Sequence, residues 1–487
     1  MNASLKIAPA PVHDEAEDFA SLYEAAQKVY PQRVSGFFRR LKWIILVLAL
    51  GVYYLLPFVR WHRGANEPSQ AVLVDFGHRR FYFFFIELWP QEVYFFTGLL
   101  ILAALTLFLM NAVAGRVWCG YLCPQTVWTD LFLAVERWIE GDRRERMRKD
   151  SSPMTLRRAG EKAAKHAIWL LIAWWTGGAW VLYFADAPTL VAQLAAFQAP
   201  FVAYAAIGVL TATTYALAGH LREQVCLYMC PWPRIQAALT DENALNVTYR
   251  VDRGEPRNSM KKAALLRQAS EKSGDCIDCL QCVAVCPTGV DIRDGANLGC
   301  IQCGLCIDAC DAVMKKIGRA PRLIAYDTDI NIKRRQAGLA PIYRLIRPRT
   351  VLYAALIALI GAVMLYALLG RDYFGIAVIH DRNPLYVRTA SGAIRNAYAV
   401  RLTNKKSETE RFRLAVSGVP GASMEIFGGE RDSSGADVIE VGPDKTQEVR
   451  VLVSTAIAQP SGSIPVSFVA RTEDGVAEVA ADHFWSP

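Results

Sequence analysis

Eight cysteines between Cys276 and Cys310 form two runs that share one spacing, C-x2-C-x2-C-x3-C. Pro287 follows the first run, and the second run begins at Cys300. Thiolates at this spacing ligate two [4Fe–4S] clusters, and the fourth cysteine of each run ligates the other cluster. The sequence therefore predicts a first cluster on Cys276, Cys279, Cys282 and Cys310, and a second on Cys300, Cys303, Cys306 and Cys286.

A zinc knuckle and a disulfide framework explain the same cysteines less well. Zinc sites usually close on four ligands as two C-x2-C pairs, so they do not need two runs of four in tandem. All 12 cysteines precede residue 311, and all of them belong to one of these runs or to two further pairs. Because none remains for a structural disulfide, we expect this part of the chain to face a reducing compartment.

The four remaining cysteines lie in two C-x3-C-P elements, W-C-G-Y-L-C-P from Trp118 and V-C-L-Y-M-C-P from Val225. Each element follows an apolar stretch and has an arginine just upstream, which indicates an internal repeat. Proline favours the first position of a helix, so the second cysteine of each pair should lie at a helix N-terminus. There the helix dipole and the arginine would lower the thiol pKa.

Thiolates placed in this way suit a soft metal such as Cu(I), or a dithiol that cycles with a disulfide. The cysteines could equally be small apolar residues at helix ends. Zinc or a further cluster would require the two pairs to meet, which the sequence does not show. The candidate copper or redox thiols are Cys119, Cys123, Cys226 and Cys230.

The residues after Pro124 carry an apolar stripe at helical spacing, typical of an amphipathic helix at a membrane interface. The stripe consists of Val127, Trp128, Leu131, Phe132, Val135 and Trp138.

Apolar stretches dominate the composition, since hydrophobic residues make up 53% of the 487 residues. Five of these stretches approach the ~20 residues that a membrane-spanning helix needs. The predicted spans are residues 43–59, 93–114, 166–184, 197–219 and 350–370.

The basic residues predict the orientation of these spans. Residues 115–165 carry 11 Lys and Arg, whereas residues 185–196 carry none. Positive loops stay in the cytoplasm, so the N-terminus, this loop and the cysteine-rich module are expected there. The net charge of +8 is best explained by contact with a membrane surface rather than nucleic acid.

The segment after the fifth span changes character. Tyr398, Val400 and Leu402 alternate with polar residues, and similar runs follow between Gly, Pro, Asn and Asp. This pattern predicts a small antiparallel sandwich. An odd number of spans places this sandwich outside the cytoplasm.

The predicted fold is a multi-domain membrane protein with a helical transmembrane bundle, a bacterial-ferredoxin-like α+β module and a C-terminal all-β sandwich. Its predicted segments are a cytoplasmic tail 1–36, a bundle 37–240 with both C-x3-C-P elements, a two-cluster module 241–349, a fifth span 350–370 and the sandwich 371–487.

Together these features resemble the CcoG/FixG/RdxA family, the accessory proteins of cbb3-type cytochrome c oxidase. The resemblance covers nearly the whole chain. Its most specific blocks are L-W-P-Q-E-V-Y-F at 88–95, G-R-V-W-C-G-Y-L-C-P-Q-T-V-W at 115–128, C-P-T-G-V-D-I-R-D-G at 286–295 and H-D-R-N-P-L-Y at 380–386.

The resemblance implies a bacterial inner-membrane protein that reduces Cu(II) to Cu(I) for the copper centre of the oxidase. It also implies an immunoglobulin-like fold for the periplasmic sandwich. The expected partners are the oxidase assembly machinery or copper chaperones, with copper as substrate. The electron donor is not identified, no nucleic acid is expected, and a homodimer is compatible with the resemblance.

Two other functions are compatible with the same sequence features. Related membrane iron–sulfur proteins of nitrate and nitrous oxide respiration also carry C-x3-C-P, so the partner could be a quinone. Alternatively, the chain could be an assembly scaffold with structural clusters. The presence of two clusters argues against the scaffold, because one cluster would be enough to stabilise the fold.

Overall fold

The computed structural model describes residues 28–63, 67–371, 373–406, 408–427, 430–431, 437–443, 445–457 and 459–487. Most of the predicted cytoplasmic tail, residues 1–27, lies outside this part of the chain. The chain divides into two compact units, Met1–Val59 with Gln70–Ile360 and Arg60–Ser69 with Gly361–Pro487. The cysteine-rich module therefore belongs to the same unit as most of the apolar helices.

Within the described residues, four helices are long and apolar enough to cross a membrane. They coincide with four of the five predicted spans. Their bounds are Phe37–Phe58, Tyr94–Ala114, Phe201–Leu221 and Pro348–Leu369.

The remaining predicted span, residues 166–184, lies in the 26-residue helix Leu156–Val181. This helix is long enough to span but does not reach the same hydropathy. Lys165, His166 and the tryptophans that follow them reduce its apolar character. Five spans are therefore not established by length and composition.

Shorter helices connect these elements and frame the cysteines. The α-helices are Val117–Tyr121, Pro124–Glu140, Arg143–Ser151, Ala187–Ala195, Trp232–Leu239, Val251–Gly254, Met260–Gln268, Gln281–Ala284, Leu305–Lys316 and Asp329–Gln336. The 3-10 turns are Leu56–Phe58, Pro90–Glu92 and Ile292–Asp294. Two π-helical stretches, Tyr215–Leu221 and Val225–Met229, flank the start of the second C-x3-C-P element. Such π turns are rare and often mark functional sites.

A three-stranded antiparallel sheet follows the first apolar helix in sequence. It consists of β1 (Val72–Asp75), β2 (Arg80–Phe83) and β3 (Ile86–Leu88), in that order. Val72 pairs with Phe83 and Asp75 with Arg80, so the first two strands form a tight hairpin.

The cysteine-rich module has the predicted α+β character. Strands β4 (Asn246–Tyr249) and β5 (Ile324–Asp327) pair antiparallel and bracket both cysteine runs. The helices Gln281–Ala284 and Leu305–Lys316 lie between these strands in the sequence and pack against each other, and Leu305–Lys316 also packs against β5. Its apolar core contains Val247, Tyr249, Ile292, Ile307, Met314, Leu323 and Ile324.

The C-terminal segment forms two five-stranded sheets, which confirms the predicted sandwich. In one sheet the strand order is β10-β13-β8-β6, with β7 paired to β8, and in the other it is β11-β12-β9-β14-β15. The strands are β6 Phe374–His380, β7 Val387–Arg388, β8 Ile394–Asn404, β9 Glu410–Ser417, β10 Ala422–Phe427, β11 Glu430–Arg431, β12 Asp437–Val441, β13 Thr446–Thr455, β14 Gly462–Thr472 and β15 Ala477–Ser486.

The alternation of buried and exposed side chains along the strands shows where the core of this sandwich lies. Tyr398, Val400 and Leu402 are fully buried, as the sequence pattern predicts. They pack with Phe412 and Phe468 from the opposite sheet.

A carboxylate joins the cysteine-rich module to the first apolar helix. Asp308 accepts hydrogen bonds from the backbone amides of Phe38, at 3.2 Å, and Arg39, at 2.8 Å. A Cβ added at Gly36 would lie 2.2 Å from Cγ of Asp308, so a larger residue would force the Asp308 side chain to move. The orphan amides at the start of the helix are thereby satisfied from the module.

The helix Pro124–Glu140 is more enclosed than an interfacial helix would be. Val127 and Phe132 of the predicted stripe are buried, but Trp138 is 77% exposed. Its polar side is enclosed as well, because Asp130 and Glu136 are buried. The predicted apolar stripe is present, but the protein encloses the two carboxylates on the other side of the helix as well.

Each of the two buried carboxylates is surrounded by cations. Asp130 accepts from Arg39 at 2.8 Å and lies 3.9 Å from Lys42 and 3.8 Å from Arg137. Such pairing is what makes a buried charge tolerable.

Candidate metal and electron-transfer sites

The first three cysteines of the first run and the last cysteine of the second run line one small cavity. Its sulfur ligands would be Cys276, Cys279, Cys282 and Cys310. This is the grouping that the assignment of the first cluster requires. Cys310 reaches it from the helix Leu305–Lys316, so the long loop between the runs closes around the site.

A second cavity collects the ligands assigned to the other cluster. It is lined by Cys286 from the first run and by Cys300, Cys303 and Cys306 from the second. Cys282 borders this cavity as well as the first one. The two sites are therefore neighbours that share a wall.

The backbone of the two runs repeats as closely as their spacing. In the first run Asp278 and Leu280 have positive φ values of 49° and 55°. In the second run the equivalent positions, Gln302 and Gly304, have φ values of 56° and 72°. Left-handed residues between the cysteines turn each loop around its cavity.

The donor set fits iron–sulfur clusters. Among the described residues no three Cys, His, Asp or Glu converge closely enough to hold a single ion. The cysteines instead surround volumes, as ligands of a multi-atom cluster do. Burial raises the pKa of Cys300 to about 12 and of Cys310 to about 12, so bound iron must displace these protons.

The two C-x3-C pairs meet. Cys119, Cys123, Cys226 and Cys230 all line one cavity of about 220 Å³, which we call the four-thiol cavity. Cys300, assigned to the second cluster, lines the same cavity. The sequence could not show this meeting, because 107 positions separate Cys119 from Cys226.

Close backbone contacts hold the first pair against the loop of the second cluster. A Cβ at Gly120 would lie 2.8 Å from the carbonyl oxygen of Ile301 and 3.0 Å from Cα of Cys303. Tyr121 donates a hydrogen bond from its hydroxyl to the carbonyl of Cys303 at 2.9 Å. Gly120 and Tyr121 are therefore contact residues.

Arg116 connects both C-x3-C elements with the loop of the second cluster. Its guanidinium donates to the carbonyl of Leu298 at 2.5 Å and to that of Pro233 at 2.8 Å. Its backbone amide donates to Oε1 of Gln302 at 2.9 Å. One side chain thus spans three segments that border the four-thiol cavity.

The thiols of this cavity sit in an apolar environment. Burial raises the pKa of Cys119 to about 12, with further contributions from Cys123 and Cys226 and an opposing one from Arg116. Burial likewise raises the pKa of Cys226 to about 11. The Cys119 thiol donates to Oε1 of Gln236 at 3.3 Å. A soft metal entering the cavity would replace these protons.

The local folds of the two pairs differ. Cys119 lies in the short α-helix Val117–Tyr121, and Cys123 is the N-cap of Pro124–Glu140, as the following proline predicts. Cys226 lies in the π-helical stretch Val225–Met229, and Cys230 ends it. The repeat is therefore one of sequence and position, with unequal backbone geometry.

Three family models match the chain. A 4Fe-4S dicluster domain matches residues 221–329, and a 4Fe-4S binding domain matches residues 95–141. The IG-like fold at the C-terminus of FixG matches residues 364–487.

Relatives match over almost the full length. The nitrogen fixation protein FixG of Rhizobium meliloti is 48% identical, over 95% of this chain and 91% of the relative. The chain belongs to the FixG/RdxA family. Protein RdxA of Cereibacter sphaeroides is 49% identical, over 92% of each chain. Protein RdxB of the same organism is 48% identical, over 91% of this chain and 92% of the relative.

A solved FixG-related protein from Vibrio parahaemolyticus covers 24% of this chain and 98% of its own, with 19% identity and a TM-score of 0.21. The family models make this FixG/RdxA protein an iron–sulfur protein of the electron-transfer class, with an immunoglobulin-like C-terminal fold. Its four apolar helices associate it with a membrane.

Proposed function

We propose that this protein is a membrane-bound cupric reductase that passes electrons through two [4Fe–4S] clusters to Cu(II) in the four-thiol cavity. One observation carries the proposal: all four C-x3-C thiols line a single cavity, and Cys300 of the second cluster lines it too. Thiolates favour Cu(I) over Cu(II), so they would stabilise the product of the reduction once they move inward from their described positions, at which no three of them converge on one ion.

The order of the sites supports a linear electron path. Cys282 borders both cluster cavities, and Cys300 borders both the second cluster and the four-thiol cavity. The eight cysteines would hold two clusters that supply one-electron chemistry, and one electron converts Cu(II) to Cu(I). A reductant that delivers electrons to the first cluster completes the balance.

The test replaces Cys119, Cys123, Cys226 and Cys230 together with serine. We expect the rate of Cu(II) reduction, followed anaerobically with a Cu(I) chelator, to fall to the level without protein, while cluster spectra persist. Leu122→Met, inside the first loop but outside the cavity lining, is the matched control. Full-rate reduction by the serine variant would contradict the copper role.

A further iron–sulfur cluster is a second candidate occupant of the cavity. The 4Fe-4S binding domain model matches residues 95–141, where only Cys119 and Cys123 are available as ligands. A four-cysteine cluster would need Cys226 and Cys230 as well. Iron counting separates the two: a loss of four iron atoms per chain in the serine variant assigns a cluster, and no loss supports copper.

For topology we propose five spans in the bacterial inner membrane, with the helix Leu156–Val181 as the third. Three tryptophans of this helix, Trp174, Trp175 and Trp180, expose about half of their surface, as lipid-facing side chains do. The cluster module then lies in the cytoplasm and the sandwich in the periplasm.

We propose the assembly machinery of cbb3-type oxidase, or a copper chaperone, as the recipient of the Cu(I). Exchange of electrons with quinone and a scaffold role remain the alternatives. Cells carrying Cys279→Ser and Cys303→Ser test the scaffold: oxidase assembly that continues with folded but cluster-free protein would favour it.

A further inference from the structure

A basic cavity of about 760 Å³ opens between the start of the first apolar helix and the end of the helix Pro124–Glu140. Four guanidinium groups line it, those of Arg33, Arg39, Arg40 and Arg137. The one carboxylate in its lining is Asp142. The cavity therefore carries a large excess of positive charge.

Two of these arginines are already paired. Arg39 donates to both oxygens of Asp130, at 2.8 and 2.9 Å, and Arg137 lies 3.8 Å from the same carboxylate. Asp142 accepts from the backbone amides of Arg33 and Arg143, at 2.9 and 2.8 Å. It is thus engaged with the backbone.

The positive charge of the other two arginines is not neutralised by a carboxylate among the described residues. Arg33 and Arg40 are exposed, and neither forms an ion pair with a carboxylate among the residues described. Arg40 makes only a long contact, 3.4 Å, to the carbonyl of Gly36. Together they present two free guanidinium groups at one opening.

The position of the cavity indicates its ligand. It lies where the first apolar helix begins, and Trp43 and Trp138 also line it. Trp138 is 77% exposed, and Phe37 beside the cavity is 65% exposed. Aromatic side chains with such exposure at the end of an apolar helix mark the headgroup level of a bilayer.

We propose that this cavity binds the phosphate headgroup of an anionic phospholipid. The planar fork of arginine matches phosphate oxygens with paired hydrogen bonds. Basic pockets between helices at the cytoplasmic surface are suited to such headgroups. The exposed aromatic rim would meet the start of the acyl chains.

The test uses the full chain, reconstituted in phosphatidylcholine vesicles with one quarter phosphatidylglycerol. Phosphatidylglycerol retained after extraction is measured by native mass spectrometry. Arg33→Gln with Arg40→Gln should weaken retention by roughly 10- to 30-fold, since each cation near a charged surface contributes about 1 kcal/mol. Lys261→Gln with Lys262→Gln removes the same charge from an exposed helix outside the cavity and should retain the lipid.

Three results would overturn the proposal. Equal loss in both double variants would mean that only overall charge attracts the lipid. Displacement of the lipid by millimolar inorganic phosphate would mean that the cavity recognises the free ion. Retention that appears only after deletion of residues 1–27 would assign the cavity to that acidic segment. Unchanged iron content in both variants verifies that the protein has folded.

Discussion

At the residue scale, two positions between the cysteines of the first C-x3-C pair restrict the residue type as strongly as the cysteines do. Gly120 lets the chain approach the loop of the second cluster, and Tyr121 donates to the carbonyl of Cys303. Their contacts lie about 180 positions further along the chain, so no local pattern could have revealed them.

Gly120→Ala should separate the four-thiol cavity from the second cluster. Its Cβ would meet the backbone at Ile301 O, 2.8 Å away, and backbone atoms cannot turn aside as a flexible side chain can. We expect slower Cu(II) reduction with normal iron content, measured by anaerobic stopped-flow mixing of reduced protein with Cu(II).

Gly160→Ala is the control for this substitution, because a Cβ there meets nothing within 4 Å. In the helix Leu156–Val181 alanine is favoured over glycine, so stability should be unchanged or slightly higher. Wild-type rates in Gly120→Ala would show that the close approach is irrelevant to electron transfer.

The convergence of the eight cluster cysteines on two neighbouring cavities was predictable from their spacing, because the two runs repeat the same local pattern. Their division between two clusters stays a prediction. The meeting of the two C-x3-C pairs could not be read, since it depends on how separate helices pack. One signal did exist: Arg116 and Arg222 precede the pairs. Only the structure shows that their roles differ. Arg116 binds segments that border the four-thiol cavity, and Arg222 pairs with Glu136.

At the element scale, the helix Pro124–Glu140 is the connecting element of its unit. Near its middle Asp130 pairs with cations of the first apolar helix. Near its end Glu136 lies 2.6 Å from Arg146, 3.0 Å from Arg222 and 3.5 Å from Lys165. The hydrophobic stripe predicted the helix itself but could not predict buried charge on its other side.

Glu136→Gln should destabilise the unit strongly. The substitution leaves three buried cations without their shared carboxylate, and breaking a buried pair costs about 3–5 kcal/mol. We expect a clearly lower midpoint in thermal unfolding of the detergent-solubilised protein, followed by tryptophan fluorescence. Glu161→Gln, whose partners Lys149 and Arg157 lie at the surface, should shift the midpoint little.

The same group gives a direction for pH dependence. Burial alone would raise the pKa of Glu136, but attraction by Arg222, Arg146 and Lys165 outweighs it and holds the pKa below the usual value. Its stabilisation is therefore present above the unfolded pKa and is lost as the pH falls through the folded one. If Glu136→Gln and wild type lost stability equally on acidification, this carboxylate would not be the cause.

At the scale of the whole molecule, the number of spans decides the side on which the sandwich lies. Four spans would return it to the side of the N-terminus, and five place it opposite. The decision rests on the helix Leu156–Val181, whose length permits a span but whose composition is mixed.

Reporter fusions resolve this point. With five spans, alkaline phosphatase fused after Pro487 should be active and green fluorescent protein at the same position should be dark. Fusions after Gly338, in the cluster module, should give the reverse pattern. The opposite pattern, with fluorescence after Pro487 and phosphatase activity after Gly338, would show that Leu156–Val181 does not cross the membrane.

The larger architecture was predictable where one period dominates. Strict alternation in the C-terminal segment predicted its sheets, and uniform apolar runs predicted four helices. Prediction was weakest for contacts between the cluster module and the apolar helices of the same unit. One example is Asp308 of the cluster module, which caps the first apolar helix. Such contacts join residues about 270 positions apart, and only the folded chain brings them together.

Because the two cysteine pairs meet in one cavity, the order of synthesis determines when the four-thiol cavity can form. A ribosome that has produced only the first 200 residues has made two of the four thiols, Cys119 and Cys123. The cavity wall is complete only when Cys300 and Ile301 have been made. The complete four-thiol cavity therefore forms only after the second half of the chain has been translated and has folded against the first.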